Sequence, residues 1–151
     1  MAPVRRPAAQ PVGTSLAELK IPAEPGYIPV ARRLAVTLGS LIGFSLDDLD
    51  ELGIAVAQAC DSAIEVACEA FGEGGSLKLT FGASGRGLEV EVHALGPRSP
   101  QALPRPPAAA RDEEARRIAQ QMIRMFVDDF TSQLDTGAGQ VRYRMVKYLI
   151  G

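Results

Sequence analysis

Apolar positions recur at intervals of three and four residues from Ser45 to Phe71, which predicts one long amphipathic helix. Ser45 and Asp48 resemble a capping box, and the acidic residues that follow suit a helix N-terminus. The predicted buried stripe consists of Leu49, Leu52, Val56, Ala59, Cys60, Ala63 and Ala67. A polar stripe runs beside it through Gln58, Ser62, Glu65 and Glu69. This polar stripe is the first place to look for chemistry.

Before this helix, the pattern predicts a strand and a shorter helix. Residues 1–14 are rich in Pro and Ala and read as a flexible tail before a single domain, 15–151. In residues 15–21, apolar and polar residues alternate, although imperfectly, and this predicts a first strand. A helix opens at Pro29 and ends at Gly43, both of which suit those positions. Its apolar stripe comprises Val30, Leu34, Leu38, Leu41 and Ile42.

After the long helix, alternating apolar and polar residues predict two hairpins. The first pairs strands 76–82 and 88–93 through a turn at 83–87, and the second pairs strands 129–135 and 139–149. The order of elements indicates an α+β fold: a two-layer sandwich with a mostly antiparallel mixed sheet and helices packed on one face.

The two hairpins are separated by a loop and a helix. Five prolines exclude regular structure from much of 94–110 and predict a long loop there. A helix begins at about Arg111. Its apolar face comprises Ile118, Met122, Met125 and Phe126.

Composition restricts the classes of function. The chain has 151 residues, an apolar fraction of 46% and a net charge of −2, as expected for one ordinary globular domain. The sequence has neither the basic character that would predict a nucleic-acid partner nor an apolar run long enough to predict a membrane span. Cys60 and Cys68 lie about 12 Å apart along one helix, which excludes a disulfide between them, and we expect both to be buried. These features fit a cytoplasmic protein.

Three local patterns in this order resemble the anti-sigma-factor serine kinases of the GHKL ATPase superfamily, which have the histidine-kinase-like or Bergerat-type fold. The run IAVAQACDSAIEVA, 54–67, is similar to the family's LAVSEACTNAIEHA. The run MIRMFVDDFTS, 122–132, is similar to LIRALMDEVEV and precedes a glycine-rich turn and a final strand. The first helix also begins with a similar pattern, from Val30 to Leu34.

The resemblance assigns nucleotide roles to positions that carry altered residues here. Gln58 stands where the family has its catalytic Glu, and Ser62 where an Asn ligates Mg²⁺. In the DxGxG box, the adenine-binding Asp is replaced by Ala94 and only Gly96 is kept. The glycine-rich start of the last helix should fall at 117–119, which reads Arg-Ile-Ala. We therefore expect a scaffold without a confident catalytic residue or metal ligand, with Ser62 and Gly96 the best remaining candidates for cofactor contact.

Other polar residues have simpler interpretations. Gln58 and Ser62 can be edge residues of the core stripe, and Asp61 an exposed acid turned about 100° away from Ser62. His93 shares the polar face of its strand with two glutamates and reads as solvated or salt-bridged. Four arginines near the long loop could engage phosphate or an acidic partner, and solvation is the simpler interpretation for Arg98, Arg105, Arg116 and Arg117.

The resemblance implies a bacterial partner-switching regulator. Its partners would be a sigma factor, an anti-anti-sigma protein of the STAS type, or both, and a homodimer is expected by analogy. We expect no cofactor, little or no kinase activity, and neither a nucleic-acid nor a membrane partner. The alternative is an active, divergent serine kinase that uses ATP and Mg²⁺ through Ser62, Asp61 or another acid. A third interpretation is a scaffold protein unrelated to transcription.

Overall fold

A computed structural model describes residues 14–97, 110–135 and 140–149. The elements follow the predicted order, with one short 3₁₀ turn added at Pro25–Tyr27. They are β1 (Ser15–Pro22), α1 (Ile28–Ile42), α2 (Leu46–Phe71), β2 (Ser76–Ser84), β3 (Gly87–Leu95), α3 (Ala110–Phe126), β4 (Asp129–Asp135) and β5 (Gln140–Tyr148).

The strands form one five-stranded sheet in the order β1-β2-β3-β5-β4. The α+β class is confirmed, but the expectation of a mixed sheet is wrong, because all four pairings between the described strands are antiparallel. The two hairpins are joined by the pairing of β3 with β5, in which Val92 lies opposite Tyr143. This pairing makes β5 an interior strand between β3 and β4, in contact with α2.

The strand alternation separates a helix-facing side from a polar side. On the helix-facing side, β3 and β5 contribute fully buried residues: Leu88, Val90, Val92, Tyr143 and Met145. On the polar side, Arg144 forms ion pairs with Glu89 and Asp129, and Lys78 lies 3.1 Å from Glu18. The core therefore lies between the sheet and the helices.

Helix α2 is the centre of that core. Ser45 is its N-cap, with its Oγ accepting a hydrogen bond from the Asp48 amide at 3.2 Å. Every residue of the predicted buried stripe is at most 8% exposed, so the stripe is confirmed. The helix ends at Gly72, whose φ of 71° favours glycine.

Helix α1 packs on α2 through small residues. Ala31, Ala35 and Gly39 are its buried positions, spaced four apart. A Cβ on Gly39 would lie 2.9 Å from Leu49 Cδ2, so glycine permits the close approach. The predicted stripe is wrong at two of its members, since Val30 is 48% and Leu41 79% exposed.

Helix α3 is rotated relative to the sequence prediction. From Glu114 onward its buried residues are Arg116, Ala119 and Ile123, whereas Ile118, Met122 and Met125 of the predicted apolar face are exposed. The physical reason is that Arg116 turns inward to an acid on α2, which a count of apolar residues does not anticipate.

Several boundaries and burial predictions also change. Ala94 and Leu95 belong to β3, so the predicted loop 94–110 begins later, and its residues 98–109 lie outside the described part of the chain. The tail residues 1–13 and the turn residues 136–139 also lie outside it. Cys60 is buried as predicted, but Cys68 is exposed.

Candidate functional site

The polar stripe of α2 lies beneath α3 and beside β5. Ser62 is only 3% exposed, Gln58 and Glu69 are half-buried, and Glu65 is exposed. The stripe predicted from spacing therefore exists, but its central residue is covered by the protein. Asp61 is exposed, as its simpler interpretation had it.

Arg116 connects α3 to this stripe. Its Nη2 donates a hydrogen bond of 2.5 Å to Oε2 of Glu69, and the arginine is 5% exposed while the Glu69 side chain is 32% exposed. Arg116 Nε is buried without a hydrogen-bond partner among the described residues. The solvated interpretation of Arg116 is thus wrong, since this guanidinium is buried in an ion pair between two helices.

Tyr143 occupies the floor of the same region. Its ring is fully buried and stacks on Phe130, with ring centroids 5.8 Å apart. Its hydroxyl lies against Ser62, but the contact falls short of good hydrogen-bond geometry and leaves Oη without a partner among the described residues. Burial raises the pKa of Tyr143 to about 12, Glu65 acts in the same direction, and Arg116 and Ser62 oppose them. The phenol is therefore neutral at physiological pH.

The residues of the second family box have structural roles in the fold. Ala94 is 8% exposed and lies opposite Leu77 in the β2–β3 ladder. Gly96 follows the strand, and a Cβ there would lie 3.0 Å from the ring of Phe71. Packing against Phe71 accounts for this glycine without any ligand.

The third box lies inside a helix. Because α3 begins at Ala110, residues 117–119 are in its third turn, and the prediction that they start a helix is wrong. Only the first four amides of an α-helix are free for a ligand, and later ones bond to carbonyls of the preceding turn. The backbone amides of Arg117, Ile118 and Ala119 are therefore not free to bind an anion.

Two clefts lie near these positions. One, of about 850 Å³, opens between the end of β1, the C-terminal turn of α2 and Gly96, and its lining excludes Gln58, Ser62 and Ala94. The other, of about 410 Å³, lies where β3, β4 and β5 meet and includes Ala94, His93 and Arg142. The described residues of its lining include no carboxylate.

His93 belongs to the polar side of the sheet, away from Ser62. It lies 3.9 Å from Glu91, which agrees with its salt-bridged interpretation. Burial lowers the pKa of His93, Arg142 and Lys78 lower it further, and Glu91 opposes them. Among the described residues, no three His, Cys, Asp or Glu side chains converge to hold a metal ion. Arg98 and Arg105 lie outside the described part of the chain.

Sequence reasoning missed Arg116 and Tyr143 as members of this site. Tyr143 was visible only as an apolar position in an alternating strand, and Arg116 only as one of several loop-side arginines. The single available signal was the position of Arg116 three residues before Ala119, on the α3 face that packs inward.

Comparison with known proteins agrees with this architecture. The chain matches the family described as Histidine kinase-like ATPase domain over residues 21–147. It is 35% identical over 79 residues to the Serine-protein kinase RsbW of Bacillus licheniformis, covering 52% of this chain and 49% of that protein. It is 33% identical over 75 residues to the protein of the same name from Bacillus subtilis, covering 50% and 46%. The chain thus matches about half the length of these curated relatives.

Across the described residues, every helix is too short or too polar to cross a membrane. The five-stranded antiparallel sheet, the long central helix and the third helix after the 94–110 region agree with the family match, which extends over most of the chain. This protein belongs to the histidine kinase-like ATPase domain family.

Proposed function

We propose that this protein is an anti-sigma-factor-like regulator that works through protein–protein binding and has lost the nucleotide site of its fold. The observation that carries this proposal is the closure of the polar stripe: Ser62 is 3% exposed, with Tyr143 against it and Arg116 paired to Glu69 nearby. The covering of Ser62 by side chains of the fold supports the loss of that site.

The chemistry of the individual positions supports the same proposal. Mg²⁺ requires near-octahedral oxygen ligands at about 2.1 Å and usually keeps several waters, which disfavours a buried serine hydroxyl as its ligand. Gln58 cannot accept a proton as the family's Glu does. An adenine amino group without an acceptor costs on the order of 1–3 kcal/mol. ATP–Mg²⁺ therefore does not fit the residues present.

Partner switching is supported by the family membership and by relatives named as serine-protein kinases. In the proposed mechanism, a sigma factor and a STAS-type antagonist compete for one surface, so that binding of one releases the other. Because no nucleotide takes part, relative concentration and affinity would decide which partner is bound. We place this activity in the bacterial cytoplasm and expect a homodimer.

Binding measured with and without nucleotide tests the proposal. Purified sigma factors and STAS-domain proteins of the source organism would be passed over the immobilised protein, alone and in competition. We expect at least one of each class to bind, each to displace the other, and the affinities to change by less than about two-fold when ATP–Mg²⁺ is added.

Binding that requires ATP–Mg²⁺ would contradict the loss of the nucleotide site. Transfer of phosphate to a STAS serine, abolished by Ser62→Ala, would establish the kinase alternative instead. Failure of every sigma factor and STAS protein to bind would remove the regulatory role itself.

A further inference from the structure

Helix α3 has a second apolar face that points away from the core. Ile118, Met122 and Met125 are spaced four and three residues apart and are 53%, 40% and 74% exposed. We call these three residues the outer stripe. The opposite side of the same helix already supplies Ala119 and Ile123 to the buried interior.

The outer stripe has the properties of a protein-binding surface. Single exposed apolar residues are ordinary, whereas contiguous exposed apolar patches mark interaction sites. Residues at i, i+4 and i+7 are the anchors by which a helix contacts an apolar partner. Methionine side chains adapt their shape to a partner, and two of the three residues are methionines.

The charges beside the outer stripe indicate the chemistry of the partner. Arg117 and Arg124 are exposed, lie seven residues apart and border the same side of the stripe. Arg124 is held in place, because its guanidinium lies 5.0 Å from the centre of the Phe130 ring and Nη1 donates to the Phe130 carbonyl at 3.4 Å. Among the α3 residues whose side chains the structure describes, Glu114 is the acid on this face, one turn before Ile118 at the N-terminal end. The described part of the border is thus basic from Arg117 to Arg124.

We propose that the outer stripe binds an amphipathic helix of a protein partner whose apolar face is bordered by acidic side chains. The proposal rests on the proposed function in one respect: the protein that presents this helix would be one of the regulatory partners. It adds the location of the contact and the charge of the partner.

Two synthetic helical peptides of about 18 residues test the proposal. Both peptides carry leucines at i, i+4 and i+7. In the glutamate peptide the leucines are bordered by glutamates, and in the lysine peptide they are bordered by lysines. Fluorescence anisotropy would measure their binding to the full chain. We expect the glutamate peptide to bind at least about ten-fold more tightly, with a preference that declines as salt is raised.

Substitutions in the protein distinguish binding at the outer stripe from non-specific binding. The double change Met122→Ser with Met125→Ser should weaken the glutamate peptide by at least about ten-fold. Arg117→Glu should abolish the preference between the peptides. Leu46→Ser is the matched control, because Leu46 is 81% exposed at the start of α2, and it should leave binding unchanged. All variants change exposed side chains, and their melting temperatures would verify folding.

Equal binding of the two peptides, or binding unaffected by the double change, would overturn the proposal. So would a homodimer that dissociates with the double change, since the stripe would then be covered by a second copy. The same variants separate this inference from the proposed function. A sigma factor or STAS protein that binds the double variant as well as the original overturns the location alone, whereas peptide binding without either protein overturns the regulatory role alone.

Discussion

Glu69→Gln should destabilise the protein more than Arg116→Met, although both changes remove the same ion pair. Arg116 is 5% exposed, so without the carboxylate its charge stays buried. The Glu69 side chain is 32% exposed, so water can solvate its carboxylate when the arginine is gone. Loss of Glu69 therefore leaves a buried, unpaired guanidinium, whereas loss of Arg116 leaves a carboxylate that water can solvate.

Breaking a fully buried pair by removing one partner costs about 3–5 kcal/mol, because it leaves the other charge buried and unpaired, whereas replacing both partners with apolar groups of similar shape is often nearly neutral. Because Glu69 is partly exposed, we expect about 1–3 kcal/mol for Glu69→Gln and less than about 1 kcal/mol for Arg116→Met. For a chain of this size the first value corresponds to a fall in melting temperature of about 3–10 °C.

Urea unfolding followed by circular dichroism would measure both variants and the double variant. The double variant should recover most of the stability lost in Glu69→Gln, because it no longer buries an unpaired charge. Arg117→Met is the matched control, since Arg117 is the exposed neighbour of Arg116. A Glu69→Gln protein as stable as the original, or an Arg116→Met protein less stable than Glu69→Gln, would refute the assigned role of this pair.

Three further predictions concern other buried and titrating groups. Lys147→Met should lower the free energy of unfolding, measured in urea, by about 1–3 kcal/mol. The reason is that Lys147 is 5% exposed and donates hydrogen bonds of 2.8 Å to both Glu51 and the Phe126 carbonyl. An unchanged urea midpoint would contradict this prediction. Iodoacetamide should modify Cys68 alone in the native protein, because burial raises the pKa of Cys60 to about 12, and intact mass should show two modifications only in urea. Stability should decline as the pH falls through 6.5, because the pKa of His93 is lowered from that value by burial and the unfolded chain takes up the proton first. His93→Gln should remove this part of the acid slope in urea titrations at several pH values, and an unchanged slope would assign it to other groups.

The order of elements could be predicted because local patterns determine it. The strand alternation in β3 and β5 and the apolar spacing of α2 are strong periodic signals, and capping at Ser45 and a terminal glycine at Gly43 set boundaries. Two of the four antiparallel pairings follow from the two hairpins, whereas the β1–β2 and β3–β5 pairings are tertiary events without a local signal.

The orientation of α3 and the composition of the site could not be predicted in this way. Helical spacing alone favours the face with the larger apolar side chains, but a buried ion pair between Arg116 and Glu69 turned that face outward. The two residues are 47 positions apart in the sequence. The altered residues Gln58, Ser62 and Ala94 were recognisable by resemblance, whereas the position of Tyr143 against Ser62 depends on tertiary packing that no local pattern encodes.

Thermal melting with nucleotide tests the central claim, the loss of the ATP site, most directly. The pure protein would be melted alone, with millimolar ATP–Mg²⁺ and with millimolar ADP–Mg²⁺. A site that bound nucleotide with a dissociation constant a hundred-fold below its concentration would stabilise the fold by about 2.7 kcal/mol, which is about 5–10 °C for a domain of this size. We predict no shift with either nucleotide. A clear upward shift that depends on Mg²⁺ would contradict the account and make Ser62→Ala and Gln58→Glu the next variants to measure.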